Sequence, residues 1–179
     1  MGFDLNRRLR GRVWKFGDSI ETDAINPYYR YPTMEELKQH TMEVYRPEFP
    51  REVKPGDIMV AGRNFGCGSS RPGLVLREVG IAAIVAESVA RLFLRNSIAR
   101  AIPIFVAPGV AGIVEDGEIL EVDYARGAVR NVATAATVFL RRFPPMIERI
   151  YECGGLPEFA RERYLRETAA AATASEAHK

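Results

Sequence analysis

Apolar residues along this chain come in short blocks that switch between two periods. Arg12-Val13-Trp14-Lys15-Phe16 alternates and predicts a strand. Ile58-Met59-Val60-Ala61 after Asp57, Ile81 to Ala86, and Pro103 to Val106 are continuous apolar runs, the pattern of strands covered on both faces. Helical patterns lie between them. One runs from Leu74 to Val79 and is closed by Gly80, with Pro72 suited to its first position. Another spans Glu87 to Arg100, with Val89, Leu92, Phe93 and Ile98 toward the core. Upstream, Thr33-Met34-Glu35-Glu36 fits a capping box and predicts a helix to about Tyr45, after which Pro47 and Pro50 mark a loop. Downstream, residues 112–132 read as short strands with turns at Asp116-Gly117 and Arg126-Gly127. A helical region then runs from Pro145 to Arg166, broken at Gly154-Gly155. Strands alternating with helices predict an α/β core with parallel strands, extended by hairpins. Residues 1–10 read as a flexible lead-in, 11–167 as a single domain, and 168–179 as a disordered, alanine-rich tail.

Composition narrows the class. A chain of 179 residues, 47% apolar and 27% charged, can bury one real core. A net charge of +2 is too small to argue for nucleic acid or a membrane surface, and neither is expected. No apolar run approaches the roughly 20 residues that cross a bilayer. The N-terminus lacks an apolar signal core, and Asn6 stands where myristoylation of Gly2 prefers Ser or Thr. A cytoplasmic protein is expected. Two cysteines (Cys67, Cys153) and two histidines (His40, His178) leave a zinc site, a four-thiolate cluster or a Ser-His-Asp triad poorly supplied. No metal site is expected in this chain. Catalysis would rest on hydroxyls, arginines and backbone dipoles, or on groups lent by a partner.

The stretch with most chemistry is Asn64-Phe65-Gly66-Cys67-Gly68-Ser69-Ser70-Arg71, between the strand at 58–61 and the helix at 74–79. A glycine turn at a helix N-terminus offers backbone N–H groups to an anion, and Arg71 can clamp a carboxylate with two parallel hydrogen bonds. The backbone of Gly66, Cys67 and Gly68 would shape the loop. The alternative is a tight turn in which the glycines only permit positive φ, with Ser70 an ordinary N-cap. A second polar loop, Glu21-Thr22-Asp23 with Asn26-Pro27, shifts the balance toward a site, because a core does not need it. Cys67 reads as a small residue in a tight turn, His40 as solvent-facing, and Arg91, Arg95 and Arg100 as a solvated face or a partner contact.

Thr22-Asp23-x-Ile25-x-Pro27, followed by Gly56-Asp57-Ile58-x-Val60-Ala61-Gly62-x-Asn64-Phe65-Gly66-Cys67-Gly68-Ser69-Ser70-Arg71, resembles the small subunits of isopropylmalate isomerases, the swivelling domain of the aconitase superfamily. Ala90-Arg91-x-Phe93-x-Arg95-Asn96, Glu121-Val122-Asp123 and Cys153-Gly154-Gly155-Leu156 carry the likeness on, over roughly residues 11–157. The resemblance implies a swivelling β/β/α domain with a mixed, partly parallel sheet flanked by helices, plus C-terminal helices. It implies a hydro-lyase that isomerises a 2-hydroxy-di- or tricarboxylate by dehydration and rehydration, as 3-isopropylmalate dehydratase does in leucine biosynthesis. Homoaconitase and methylmalate-type dehydratase small subunits are alternatives, as is a non-catalytic anion-binding module. The expected partner is a large subunit holding a [4Fe–4S] cluster, with no cofactor on this chain; a homo-oligomer of the isolated chain stays open. Ser69 would be the base that takes the Cα proton, with Ser70 and Arg71 on substrate carboxylates and Thr22 and Asp23 lining or supporting the site. An alkoxide at Ser69 would need helix N–H groups, the macrodipole and Arg71 to stabilise it.

Two departures bear on substrate choice. The family pattern continues Ser-Ser-Arg-Glu-His, whereas Pro72-Gly73 stand here, so support from those two side chains must come from elsewhere. A glycine at the second helical position should also loosen the helix start by roughly 1 kcal/mol. After Pro27 comes Tyr28-Tyr29-Arg30-Tyr31-Pro32, in the loop that helps the family choose the substrate side chain. Arg30 could hold an extra carboxylate. The tyrosines could shape an apolar pocket or pack under the helix at 33–45.

Overall fold

The computed structural model describes residues 2–71 and 73–176, with residues 170–176 as backbone. Seven strands form one mixed sheet in the order β4-β3-β2-β1-β5-β6-β7. β1 (Leu9–Lys15), β2 (Ile58–Ala61), β3 (Ala83–Ala86) and β4 (Ile104–Val106) run parallel, in register Val13↔Ile58, Ile58↔Ala83 and Ile84↔Ile104. β5 (Ile119–Asp123) joins the other side of β1 antiparallel, and β6 (Ala128–Asn131) and β7 (Thr137–Phe139) complete a meander. Just beyond β7, the Arg141 N–H donates to Val106 O at the end of β4 (2.7 Å). The two ends of the strand order thus come together, and the sheet curls into a half-barrel.

The sheet separates two cores because side chains alternate across a pleat. Val13, Ile58, Val60, Ala83, Val85, Leu120 and Val129 pack on one face with Phe105, Tyr124 and Tyr151. Trp14, Met59, Ala61, Ile84 and Ile104 pack on the other with Phe49, Phe65, Leu76 and Phe93. That second face is covered by α2 (Met34–His40), α3 (Phe49–Glu52), α4 (Leu74–Glu78) and α5 (Arg91–Ala99). Short α1 (Thr22–Ile25) and α6 (Val110–Ile113) fill loops, and α7 (Pro145–Cys153) and α8 (Leu156–Glu176) end the chain.

The predicted α/β architecture with its parallel core and hairpins is present. The capping box forms as read: Thr33 Oγ1 accepts from the Glu36 N–H, and the Glu36 carboxylate accepts from the Thr33 N–H. Several boundaries differ. The lead-in expected to be loose is anchored: Leu9 and Arg10 belong to β1, Leu5 is buried, and the Phe3 N–H donates to Tyr151 O. Apolar residues at 3, 5 and 9 outweigh the arginines between them. The alanine-rich tail expected to be disordered continues α8 to Glu176, in keeping with alanine's helix propensity; residues 177–179, with His178, lie outside the described residues. Residues 87–90, read as helix, instead extend the pairing of β3, with a bridge between Phe65 and Val89. α4 starts at Leu74 with Gly73 as its N-cap, two residues later than Pro72 suggested; Pro72 itself lies outside the described residues.

Candidate active site

The carboxyl ends of parallel strands leave a crevice where ligands tend to sit, and here three consecutive loops meet there. The segment after β2 is zipped to its neighbours on both sides. Toward β1, the Ser19 N–H donates to Arg63 O, Gly66 to Ile20 O, and Thr22 to Cys67 O (2.7–2.8 Å). Toward β3, Phe65 donates to Ser88 O and Ala90 to Phe65 O. The turn needs its glycines at two places. Gly66 has φ +77, and a Cβ there would lie 2.2 Å from Phe93 Cγ. Gly68 has φ +101, and its missing Cβ lets Thr22 Oγ1 approach.

Thr22 and Ser69 meet as a result. Thr22 is 1% exposed, accepts the Ser69 N–H at 2.8 Å, and lies 2.9 Å from Ser69 Oγ. Among the described residues its hydroxyl hydrogen has no other acceptor, and a buried donor is almost always paired. Thr22 therefore donates to Ser69 Oγ, and the Ser69 proton is left to point outward from a half-buried position. The helix dipole expected to act on Ser69 is absent, because α4 has five residues and begins at Leu74. Ser70 is not an N-cap; its side chain is exposed, and its carbonyl accepts from Asn96 Nδ2.

Arg71 turns toward the other loop. Nη1 donates to Asp23 Oδ1 at 2.6 Å and to Asn26 O at 3.3 Å, and the guanidinium lies 4.3 Å from the centre of the Tyr29 ring. Nε and Nη2 have no protein partner among the described residues, so that edge of the fork is open to a carboxylate. Arg71 stands in the wall of a cleft of about 340 Å³ lined also by Asp23, Tyr29, Arg30, His40, Val44 and Tyr45, among others. Arg30 is exposed there and has no ion-pair partner among the described residues. Ser69 and Ser70 sit beside this cleft rather than in its wall.

Of the tyrosines, Tyr28 and Tyr29 are exposed, and Tyr31 stacks on His40 with ring centres 3.6 Å apart. His40, expected to face solvent, is thus held between Tyr31 and Glu43, its Nδ1 2.8 Å from the Glu43 carboxylate. The part of 40–45 in the cleft wall and the hold of Asn96 on Ser70 were not read from sequence; only folding of the 33–45 segment over the loop at 28–31 brings the former in. Cys67 is half-buried with Sγ 3.6 Å from Ile20 O, and Cys153 donates to Glu162. Among the described residues no three His, Cys, Asp or Glu side chains cluster as a metal would need. The residues present do not fit an iron–sulfur cluster.

Residues 6–107 match the model of the aconitase C-terminal domain family. The 3-isopropylmalate dehydratase small subunit 1 of Methanopyrus kandleri is 47% identical over 154 residues, which cover 84% of this chain and 91% of that protein. The methanogen homoaconitase small subunit of Methanothermobacter thermautotrophicus is 44% identical, covering 83% and 88%. The crystal structure of 3-isopropylmalate dehydratase (leuD) from Methanocaldococcus jannaschii superposes with a TM-score of 0.83 at 34% identity, over 92% of this chain and 99% of that one. By its fold, its ordered motifs and these likenesses, the chain belongs to the aconitase C-terminal domain family.

Proposed function

We propose that the chain is the small subunit of a hydro-lyase, 3-isopropylmalate dehydratase, and works only when docked on a separate large subunit. The names of its relatives support the reaction. The observation that carries the site is the coupled geometry of Thr22–Ser69 and Asp23–Arg71 beside one cleft. The [4Fe–4S] cluster implied by the resemblance would belong to the large subunit, since no donor set for it gathers among the described residues. A cytoplasmic setting is part of the same proposal.

In this reading Ser69 first gives its outward-pointing hydroxyl proton to solvent, and as the alkoxide its Oγ takes the proton from the carbon next to a substrate carboxylate. A serine hydroxyl is a poor base until its alkoxide is stabilised. Here that help comes from the Thr22 hydroxyl, which already donates to Ser69 Oγ, and from the positive charge of Arg71. As the C–H bond breaks, charge builds on the adjacent carboxylate. The open Nε/Nη2 edge of Arg71 would hold it bidentately, while Asp23 fixes the opposite nitrogen. Ser70, exposed next to both, would donate to a second carboxylate. On rehydration the same Ser69 hydroxyl returns the proton.

The apolar part of the cleft, with Ala24, Pro27, Tyr31, Val44 and Tyr45, suits a branched alkyl group. Arg30 supports a second reading, a homoaconitase-type substrate with a further carboxylate, because it lines the same cleft with no ion-pair partner among the described residues. The non-catalytic anion-binding module has less to stand on, since the glycine loop does not open a helix. Co-expression with the large subunit, anaerobic reconstitution and a panel of isopropylmalate, homocitrate, citrate and methylated malates tests the proposal. Turnover of isopropylmalate by the pair and none by this chain alone is expected. Turnover by the isolated chain, or by the pair on none of these acids, would overturn it.

A further inference from the structure

The loop that carries Ser69 is gripped by α5 at three points. Where the chain enters α5, the Phe65 N–H donates to Ser88 O, the Ala90 N–H donates to Phe65 O, and the Asn64 N–H donates to Ser88 Oγ at 2.9 Å. One turn into the helix, the Phe93 ring fills the space left by Gly66 and Gly73 and meets the Phe65 ring edge-on at 5.4 Å. Three residues later, on the same face, Asn96 Nδ2 donates to the Ser70 carbonyl. That carbonyl has no other partner among the described residues. The sequence limits the local donors to it: a proline at 72 has no N–H, and a glycine at 73 has no side chain. Asparagine is also a poor helix former, so α5 gains nothing from it as a surface residue.

Fixing a carbonyl fixes its whole peptide plane. The Ser69 N–H is pinned by Thr22 from one side and the Ser70 carbonyl by Asn96 from the other. The stretch from the Ser69 hydroxyl to the Arg71 guanidinium then has little freedom left. We infer that Asn96 is a positioning residue for the proton-transfer step, aligning the Ser70–Arg71 peptide so that the Ser69 hydroxyl and the Arg71 fork face one substrate. This rests on the roles proposed above for Ser69 and Arg71.

The test uses the two-subunit enzyme with Asn96→Ala and with Asn96→Asp, a near-isosteric change that removes the donor and spares the fold. Both should assemble normally and lose at least about tenfold in kcat/KM, since small misplacements of reacting groups carry penalties of that order. In an Arg71→Lys background the same changes should cost no more than about threefold, because the geometry they protect is already lost. Backbone amide exchange at 69–71 should speed up in the isolated variants. Wild-type kcat/KM in both variants, or an undiminished penalty in the Arg71→Lys background, would overturn the inference. An active Ser69→Ala enzyme would instead remove the underlying assignment of the base, whatever Asn96 does.

Discussion

Thr22 Oγ1 meets both the backbone and the side chain of Ser69, and its worth lies in being buried. Because it accepts one N–H from Ser69, it has a hydrogen to give only to Ser69 Oγ. Thr22→Val keeps the shape and removes both hydrogen bonds to Ser69. We expect kcat to fall by about 10²-fold, the size expected for losing one donor to a developing oxyanion, with a smaller change in KM. Arg71→Lys replaces a planar fork with a point charge and cannot serve Asp23 and a carboxylate at once; kcat/KM should drop by about 10²-fold or more. Gly66→Ala is a test of the scaffold rather than of the chemistry. It adds a Cβ 2.2 Å from Phe93 Cγ at a residue with φ +77, and should cost about 2–4 kcal/mol in a denaturation experiment. At this scale the pairing of the candidate residues follows their motifs: Thr22 meets Ser69 and Asp23 meets Arg71 by hydrogen bonds, although 47 and 48 residues separate the partners. Asn96 and the cleft-wall role of His40 were not legible, because each depends on a contact made only after distant elements pack.

Elements position these residues through their ends. α2 was legible to its first residue because its N-terminus is encoded locally, in the Thr33–Glu36 box. Its last residue, His40, supports Tyr31 in the cleft wall, so the cap and the cleft are coupled. Thr33→Ala should lower stability by about 1 kcal/mol, seen as a fall of a few degrees in Tm. α4 and α5 start later than their apolar patterns suggest: loop pairing holds the chain up to Ser69 before α4 and up to Ala90 before α5. α3 lay hidden behind Pro50, which suits a helix start as well as a loop. β7 is three residues after an alanine-rich turn and has no pattern of its own until β6 supplies the ladder.

Across the molecule, a charge network ties the cleft-bearing segment to the sheet. Arg46 donates to Glu48 and, through both terminal nitrogens, to Asp116, which also accepts the Lys15 N–H at the end of β1. Burial pulls the Asp116 carboxyl upward, but these hydrogen bonds outweigh it and hold it below the usual carboxylate range, while Arg46 is pushed up. A carboxyl depressed in the folded state stabilises the fold above its unfolded value near 4, and that contribution is lost as pH falls through its folded value. Tm should therefore decline below about pH 4, and Asp116→Asn should be less stable at neutral pH and show a shallower decline. The seven-stranded half-barrel is the part least legible in the chain, because local patterns name strands but not which edges meet.

The most direct check on Ser69 as the base is the rate of substrate Cα–H exchange with solvent deuterium, in the reconstituted two-subunit enzyme carrying Ser69→Ala. A fall of at least about 10³-fold, with assembly and substrate binding intact, is expected for removal of the group that accepts the proton. Exchange within tenfold of wild type would contradict the assignment, since some other group would then be moving that proton.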